Sequence, residues 1–350
     1  MKLLFAGDLV LDREVKYSKD FLDLISEHDH RVVNLEAPFI GNGSRIFKAG
    51  RWINSKEEHV SSLRNAFDCV TLANNHMMDY GNNSLLHTLD VLNKNNFKHC
   101  GAGSNNKDAH EPIELDGCYI FSVAENEFGC STESSSGISC FDDILLLYEN
   151  IKKYSELGKI IICYHGGTEV IPIPPKYLRK RFSLLKSFGA DLIIGHHPHV
   201  VQGFDEKCFY SLGNFYFVDQ NTSKYENIDW SLIVSYDTET DEIKTYHTTV
   251  IDDTLTITEK QKEIQFLNEI LHSKDYDSLS DIISLILYDK WYKNFTQTGP
   301  EVILHYLRCD AHKENISKSL SHMIKEFYIN DLENYKISVK DIDFIEIEKV

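Results

Sequence analysis

The sequence predicts an α/β layered domain followed by a mainly helical appendage, on three observations. From residue 1 to about Asp252 short apolar runs alternate with amphipathic stretches, the pattern of strands and helices packed in layers. Several of those apolar runs end in a cluster of polar residues. Beyond Asp253 apolar residues recur at helical spacing and no such cluster follows a strand-like run. A length of 350 residues suits about two units, expected here as 1–252 and 253–350.

Taken in order, the expected strands are 3–6, 32–35, 69–72, 119–123, 160–164, 192–194 and 208–212, each a short apolar run bounded by polar or turn residues. Between them, 84–94 carries Leu85, Leu89 and Leu92 on one helical face, and 176–188 reads as a second helix. The Ser-rich stretch 131–139 is a loop by composition. Runs 230–236 and 243–250 flank a polar turn and predict a hairpin. In the appendage, 264–271 and 282–287 suggest helices, and Ile316, Leu320, Met323, Ile324 and Phe327 share the face of a third. Its histidines His305 and His312 belong to no strand-end cluster, so the appendage is expected to contribute packing and no metal ligand.

Composition excludes some roles. A net charge of −18 argues against bulk nucleic-acid binding, which needs clustered Lys and Arg, although a metal site still attracts an anionic substrate locally. No window approaches the roughly 20 apolar residues of a membrane helix, and the N-terminal run reads as a strand rather than a signal peptide. Eight cysteines without a CxxC pair read as reduced, mostly buried thiols, which implies a cytoplasmic chain.

Ligands in α/β proteins sit at strand ends, where loops converge on a rigid sheet. Five expected strands end in metal-competent groups: Gly7-Asp8; Asn34-Leu35-Glu36; Asn74-Asn75-His76 with Asp79; His165-Gly166-Gly167-Thr168-Glu169; and His196-His197-Pro198-His199. Singly, Asp8 and Asn75 read equally as turn or cap residues, Glu36 as a solvated side chain and His165 as a core histidine. Jointly they supply a carboxylate able to bridge two cations, with oxygen and imidazole ligands on either side. Mixed N and O donors without thiolate favour Mn, Fe or Zn.

These motifs, together with Arg13, Tyr80-Gly81, Gly189-Ala190-Asp191, Gln202 and Tyr210-Ser211-Leu212-Gly213-Asn214-Phe215, run in order from about Lys2 to Phe217. In that order they resemble the CapA family, the poly-γ-glutamate capsule biosynthesis proteins, a branch similar to the calcineurin-like metallophosphoesterases. The resemblance implies a four-layer α/β/β/α sandwich with two divalent metal ions (Mn, Zn or Fe) at the strand ends. It implies Asp8, Glu36, Asn75, His165, His197 and His199 as ligands, Glu36 standing where the bridging carboxylate sits. His76 would contact substrate and protonate the leaving group; His196 is the second catalytic candidate and the alternative ligand to His197. Arg13, Asn34, Asp79 and Glu169 are candidates for orienting substrate or ligands. Gly166 replaces the aromatic usual after the fourth-motif His, and Asp12 replaces a small residue before Arg13. The implied activity is metal-dependent hydrolysis of a phosphoester or amide in an anionic small molecule or polymer. A non-catalytic accessory of capsule polymer synthesis, binding metal or anionic polymer, is the alternative.

Overall fold

The computed structural model describes residues 1–217, 230–294, 297–324, 335–338 and 346–349. In chain order the first half contains β1 (Lys2–Leu9), β2 (Lys16–Tyr17), α1 (Lys19–Ser26), β3 (His30–Leu35), α2 (Val60–Ala66), β4 (Cys69–Thr71) and α3 (Gly81–Lys94). There follow β5 (Lys98–Cys100), β6 (Ala102–Gly103), α4 (Asn106–Ala109), β7 (Ile113–Leu115), β8 (Cys118–Ala124), β9 (Gly137–Ile138) and α5 (Ile144–Ser155). Next come β10 (Lys159–His165), α6 (Lys176–Phe188), β11 (Leu192–His196), β12 (Phe204–Asp205), β13 (Cys208–Phe209) and β14 (Asn214–Tyr216). The chain continues with β15 (Trp230–Asp237), β16 (Ile243–Ile251), β17 (Thr254–Thr258), α7 (Gln261–Leu271), α8 (Tyr276–Leu287), α9 (Pro300–Arg308) and α10 (Asp310–Ile324). Strands β18 (Tyr335–Ser338) and β19 (Glu346–Lys349) form a two-stranded sheet.

Two mixed sheets organise the molecule. The first runs β2-β17-β16-β15-β1-β3-β4-β5, with β14 beside the C-terminal end of β1; the second runs β12-β13-β11-β10-β8-β7. Strands β1, β3, β4 and β5 are parallel, as are β8, β10, β11 and β13. Their C-terminal ends therefore lie together at one edge of each sheet.

Alternation along β1 explains how the sheets pack, because successive side chains point to opposite faces. Leu3 and Phe5 join Val32 and Cys69 in an apolar cluster with Ile120, Ile161 and Leu192 of the second sheet. Leu4 and Ala6 instead face Phe21, Leu63, Leu85 and Leu92 of α1–α3. On the far face of the second sheet, Phe121, Ile160, Ile162 and Ile193 meet Leu147, Ile151, Phe182 and Leu185 of α5 and α6. Strands buried on both faces read as unbroken apolar runs, which is why they stand out in the sequence.

Each expected strand overlaps an observed one, and the hairpin is β15–β16, with Trp230 opposite Thr249. The run 208–212 is shorter than expected: β13 stops at Phe209 and the chain turns before β14. β17 follows the Asp252–Asp253 turn and pairs with β16 and β2, so the first sheet extends past Asp252. Beyond it the helices α7–α10 form, with Phe327 outside the described residues. Ile270, Leu279, Ile283, Leu287 and Tyr292 bury Ile171 and Ile173 of the β10–α6 loop. Among the described residues no helix is long and apolar enough to cross a membrane.

The cysteines need a correction. Six are buried free thiols, but Cys130 and Cys140 form a disulfide across the Ser-rich stretch. That stretch is folded, with β9 pairing to β6 and Ser131 N–H donating to Ile138 O at 3.0 Å, which brings its two ends together. A reducing compartment, inferred from eight free thiols, no longer follows from the cysteines.

Candidate metal centre

Strand register builds the site. In the first sheet Asp8 lies between Asn214 of β14 and Asn34 of β3, with Thr71 of β4 beyond. In the second sheet His165 lies between Ala124 and His196. These two rows of strand ends meet where the sheets pack. Gly7 permits the approach of β14: a Cβ there would lie 2.0 Å from Gly213 O, the acceptor of the Asp8 N–H at 3.0 Å.

Asp8 is fully buried and held from three sides. Asn34 Nδ2 donates to its Oδ1 at 2.8 Å, His196 Nδ1 lies 3.0 Å from the same oxygen, and His197 N–H donates to Oδ2 at 3.0 Å. Burial is the largest single influence and works against its charge, but the His196 hydrogen bond together with the nearby His165 and His199 holds the carboxyl well below the usual range. Glu36 behaves oppositely. It is fully buried, neither carboxylate oxygen has a hydrogen-bond partner, and burial followed by nearby Asp8 pushes it well above the usual range.

Around Glu36 stand His199 Nε2 at 3.6 Å and His165 Nε2 at 3.9 Å from Oε1, too far for hydrogen bonds. His165 Nε2 lies 3.2 Å from His197 Nδ1 and 3.1 Å from Asn75 Oδ1. His199 Nδ1 lies 2.9 Å from Asn214 Oδ1 and 3.7 Å from Asp8 Oδ2. Burial keeps His165 and His197 neutral, the latter down to about 4, which is the form a metal ligand needs. Ligand atoms of Asp8, Glu36 and His199 all lie within 4.8 Å of one another. A fully buried carboxyl group with two orphaned oxygens, facing imidazole nitrogens across gaps a proton does not bridge, is the chemistry of a cation site.

Beside this centre opens a cavity of about 410 Å³, lined by Asn75, His76, Glu169, His197, His199 and Asn214 among others. His76 Nδ1 is 2.8 Å from Asp79 Oδ2, and Lys48 pairs with the same buried Asp79. Burial lowers the His76 pKa, against the opposing hydrogen bond it donates to Asp79. His196 and Asn34 do not line the cavity; they support Asp8 from behind, and Thr71 and Asn74 hold Asn34 Oδ1 in turn. Arg13 sits apart, pairing with Asp12 and Asp253. At Gly166 a Cβ would lie 2.7 Å from Glu125 Oε2, so Glu125 occupies space that a side chain there would need.

Several residues around the cavity escaped the sequence reading. Lys48 follows no strand and carries no local signal. Glu125 and Glu127 follow the fourth expected strand, 119–123, observed as β8, and the strand-end rule applied to it would have found them. His305 and His312 correct the expectation of an appendage without a polar cluster: they meet Glu127 at the cavity, ligand atoms within 4.8 Å of one another. Two histidines on two successive helices leave no strand-end signature.

Comparison with known proteins bears on the same residues. The capsule biosynthesis protein CapA of Bacillus anthracis is 29% identical over 264 residues, covering 67% of this chain and 63% of that protein. The PGA biosynthesis protein CapA of Bacillus subtilis (strain 168) is 29% identical over 198 residues, covering 53% of this chain and 50% of its own length. This chain thus spans about half to two thirds of those relatives. A crystal structure of TT1561 of Thermus thermophilus aligns at 10% identity over 70% of this chain and 97% of that one, with a TM-score of 0.37. The profile of the bacterial capsule synthesis protein family PGA_cap matches residues 2–219, the stretch that supplies Asp8, Glu36, Asn75 and the strand-end histidines, and the chain belongs to that family.

Proposed function

We propose that the protein is a metal-dependent hydrolase acting on a phosphoester or amide of an anionic substrate, on a four-layer α/β/β/α metallophosphoesterase-like sandwich closed by the helices α7–α10. The observation that carries this reading is Glu36, fully buried with both oxygens unpartnered among Asp8, His165 and His199. Asp8, Glu36, Asn75, His165, His197 and His199 would hold two divalent cations, six donors being more than one tetrahedral ion uses. Bound there, such cations supply an acidified water and stabilise charge on the attacked centre.

The chain's own groups have separable parts. Asp79, fixed by Lys48, accepts from His76 Nδ1 and leaves His76 Nε2 to exchange a proton with a leaving group. With cations held by its imidazoles, the cavity would be attractive to an anion in an otherwise acidic chain. His196 and Asn34 position Asp8. The names of the relatives extend the proposal to a capsule polymer or poly-γ-glutamate as the substrate class.

The test is turnover by chelator-stripped protein given back Mn²⁺ or Zn²⁺, with bis-p-nitrophenyl phosphate as the phosphodiester and a γ-glutamyl anilide as the amide. Restored hydrolysis of either, rising with the first two equivalents of metal, is the expected result. Tight metal binding with neither substrate cleaved would favour the accessory-protein reading.

A further inference from the structure

We propose that Glu127, His305 and His312 form a second, separate metal site, for one zinc-like divalent cation, on the wall of the cavity supplied by the helical appendage. Glu127 extends from the end of β8, His305 lies on α9 and His312 on α10. Nε2 of His305 and Nε2 of His312 face each other at 2.8 Å, and Glu127 Oε1 lies 3.5 Å from His305 Nε2. Two ligand atoms each about 2.0 Å from a tetrahedral zinc sit roughly 3.3 Å apart, so this triangle needs only small adjustment to receive one. Two imidazoles and one carboxylate are also the donor set of mononuclear zinc centres that keep a fourth position open.

The surroundings orient these donors. Tyr292 Oη is 2.6 Å from His312 Nδ1, where it would accept the Nδ1–H of an imidazole ligated through Nε2. Phe128 stacks on His305 with ring planes 3° apart and centroids 4.8 Å apart, fixing its plane. All three side chains are largely buried, and burial keeps both imidazoles neutral, His305 down to about 4 and His312 down to about 3. Burial also pushes Glu127 up to about 8, so that without a cation its carboxyl is protonated near neutrality. All three residues line the same cavity as His76, His197 and His199, so a cation here would contact the far end of a substrate held at the first centre.

The full chain, stripped with a chelator and titrated with Zn²⁺, distinguishes the two sites by stoichiometry. An Asp8→Asn/His199→Ala variant should retain one equivalent after gel filtration, and its Co²⁺ form should show the visible bands of a four- or five-coordinate ion. Adding His305→Ala and His312→Ala should abolish both. In the otherwise native chain those two substitutions should remove one equivalent and leave the rest, and Glu127→Gln, which preserves shape, should weaken that equivalent at least tenfold. A folded Asp8→Asn/His199→Ala protein that binds no zinc, or unchanged stoichiometry in a folded His305→Ala/His312→Ala protein, would overturn the proposal. A native chain that binds a single equivalent, kept by the Asp8→Asn/His199→Ala variant, would refute the first centre while sustaining this one.

Discussion

His76 and His197 line the same cavity, yet their partners differ in a way that separates their effects. His76 leans on Asp79 and Lys48, whereas His197 touches His165 through its ring and Asp8 through its backbone N–H. His76→Ala should therefore lower turnover by about 10²–10⁴-fold, the range of a lost general acid, with metal content near the native value. His197→Ala should lose metal and activity together. Equal metal loss in both variants, measured by elemental analysis, would make His76 a ligand. His197 and His199 also hold left-handed φ values of +96° and +60°, a conformation that costs about 1–3 kcal/mol at a non-glycine residue and persists where neighbours enforce it. At this scale the sequence was legible wherever a polar residue followed an apolar run. It was silent where a donor sits on a loop, as Lys48 does, and on which of two adjacent imidazoles turns toward the cavity.

Glu125 joins four elements at one carboxylate. It accepts from Gly167 N–H at 3.0 Å, Tyr177 Oη at 2.8 Å and Ala311 N–H at 2.9 Å, and it pairs with Arg181 at 3.8 Å, linking the end of β8 to the β10–α6 loop, α6 and α10. Removing one partner of a buried ion pair leaves the other charge uncompensated, which destabilises by about 3–5 kcal/mol. Glu125→Ala should lower stability toward that range in urea unfolding, with α10 becoming the first site of proteolytic cleavage. A loss under about 1 kcal/mol would show that Arg181 is satisfied by Asp310 alone, its other acidic partner. Elements buried on both faces, such as β1, β8 and β10, were readable from their apolar runs. Strand order was not, because periodicity records which face is buried and not which neighbour buries it. The disulfide was hidden for a related reason: composition marked 131–139 as loop, and the bridge between Cys130 and Ile138, closed by the Ser131 N–H to Ile138 O hydrogen bond, is what brings Cys130 and Cys140 together.

Across the whole molecule the buried titratable groups fix how stability without metal depends on pH. Burial lowers the pKa of His28, His76, His99, His165, His197, His247, His305 and His312, so below about 6.5 the unfolded chain binds protons that the fold does not. Their contribution is complete above that pH and is lost as pH falls toward the folded values. Glu36, Glu125 and Glu127 act with opposite sign. Burial raises all three, so the fold holds protons that the unfolded chain releases, and stability gains as pH falls through their raised values, about 8 for Glu127, toward the ordinary carboxylate range. Above about pH 6.5 these carboxyls, joined by the raised N-terminal amine, favour the fold as pH falls, and below it the imidazoles outnumber the carboxyls among the described residues, which places the maximum near pH 7. Thermal melts of chelator-treated protein should rise slightly from about pH 8 to 7 and drop steeply from about 6.5 to 5. Glu127→Gln should flatten the alkaline side alone. A melting temperature that stays level or climbs between about pH 6.5 and 5 would mean that these imidazoles are protonated within the fold, and the case for them as neutral ligands would go with it.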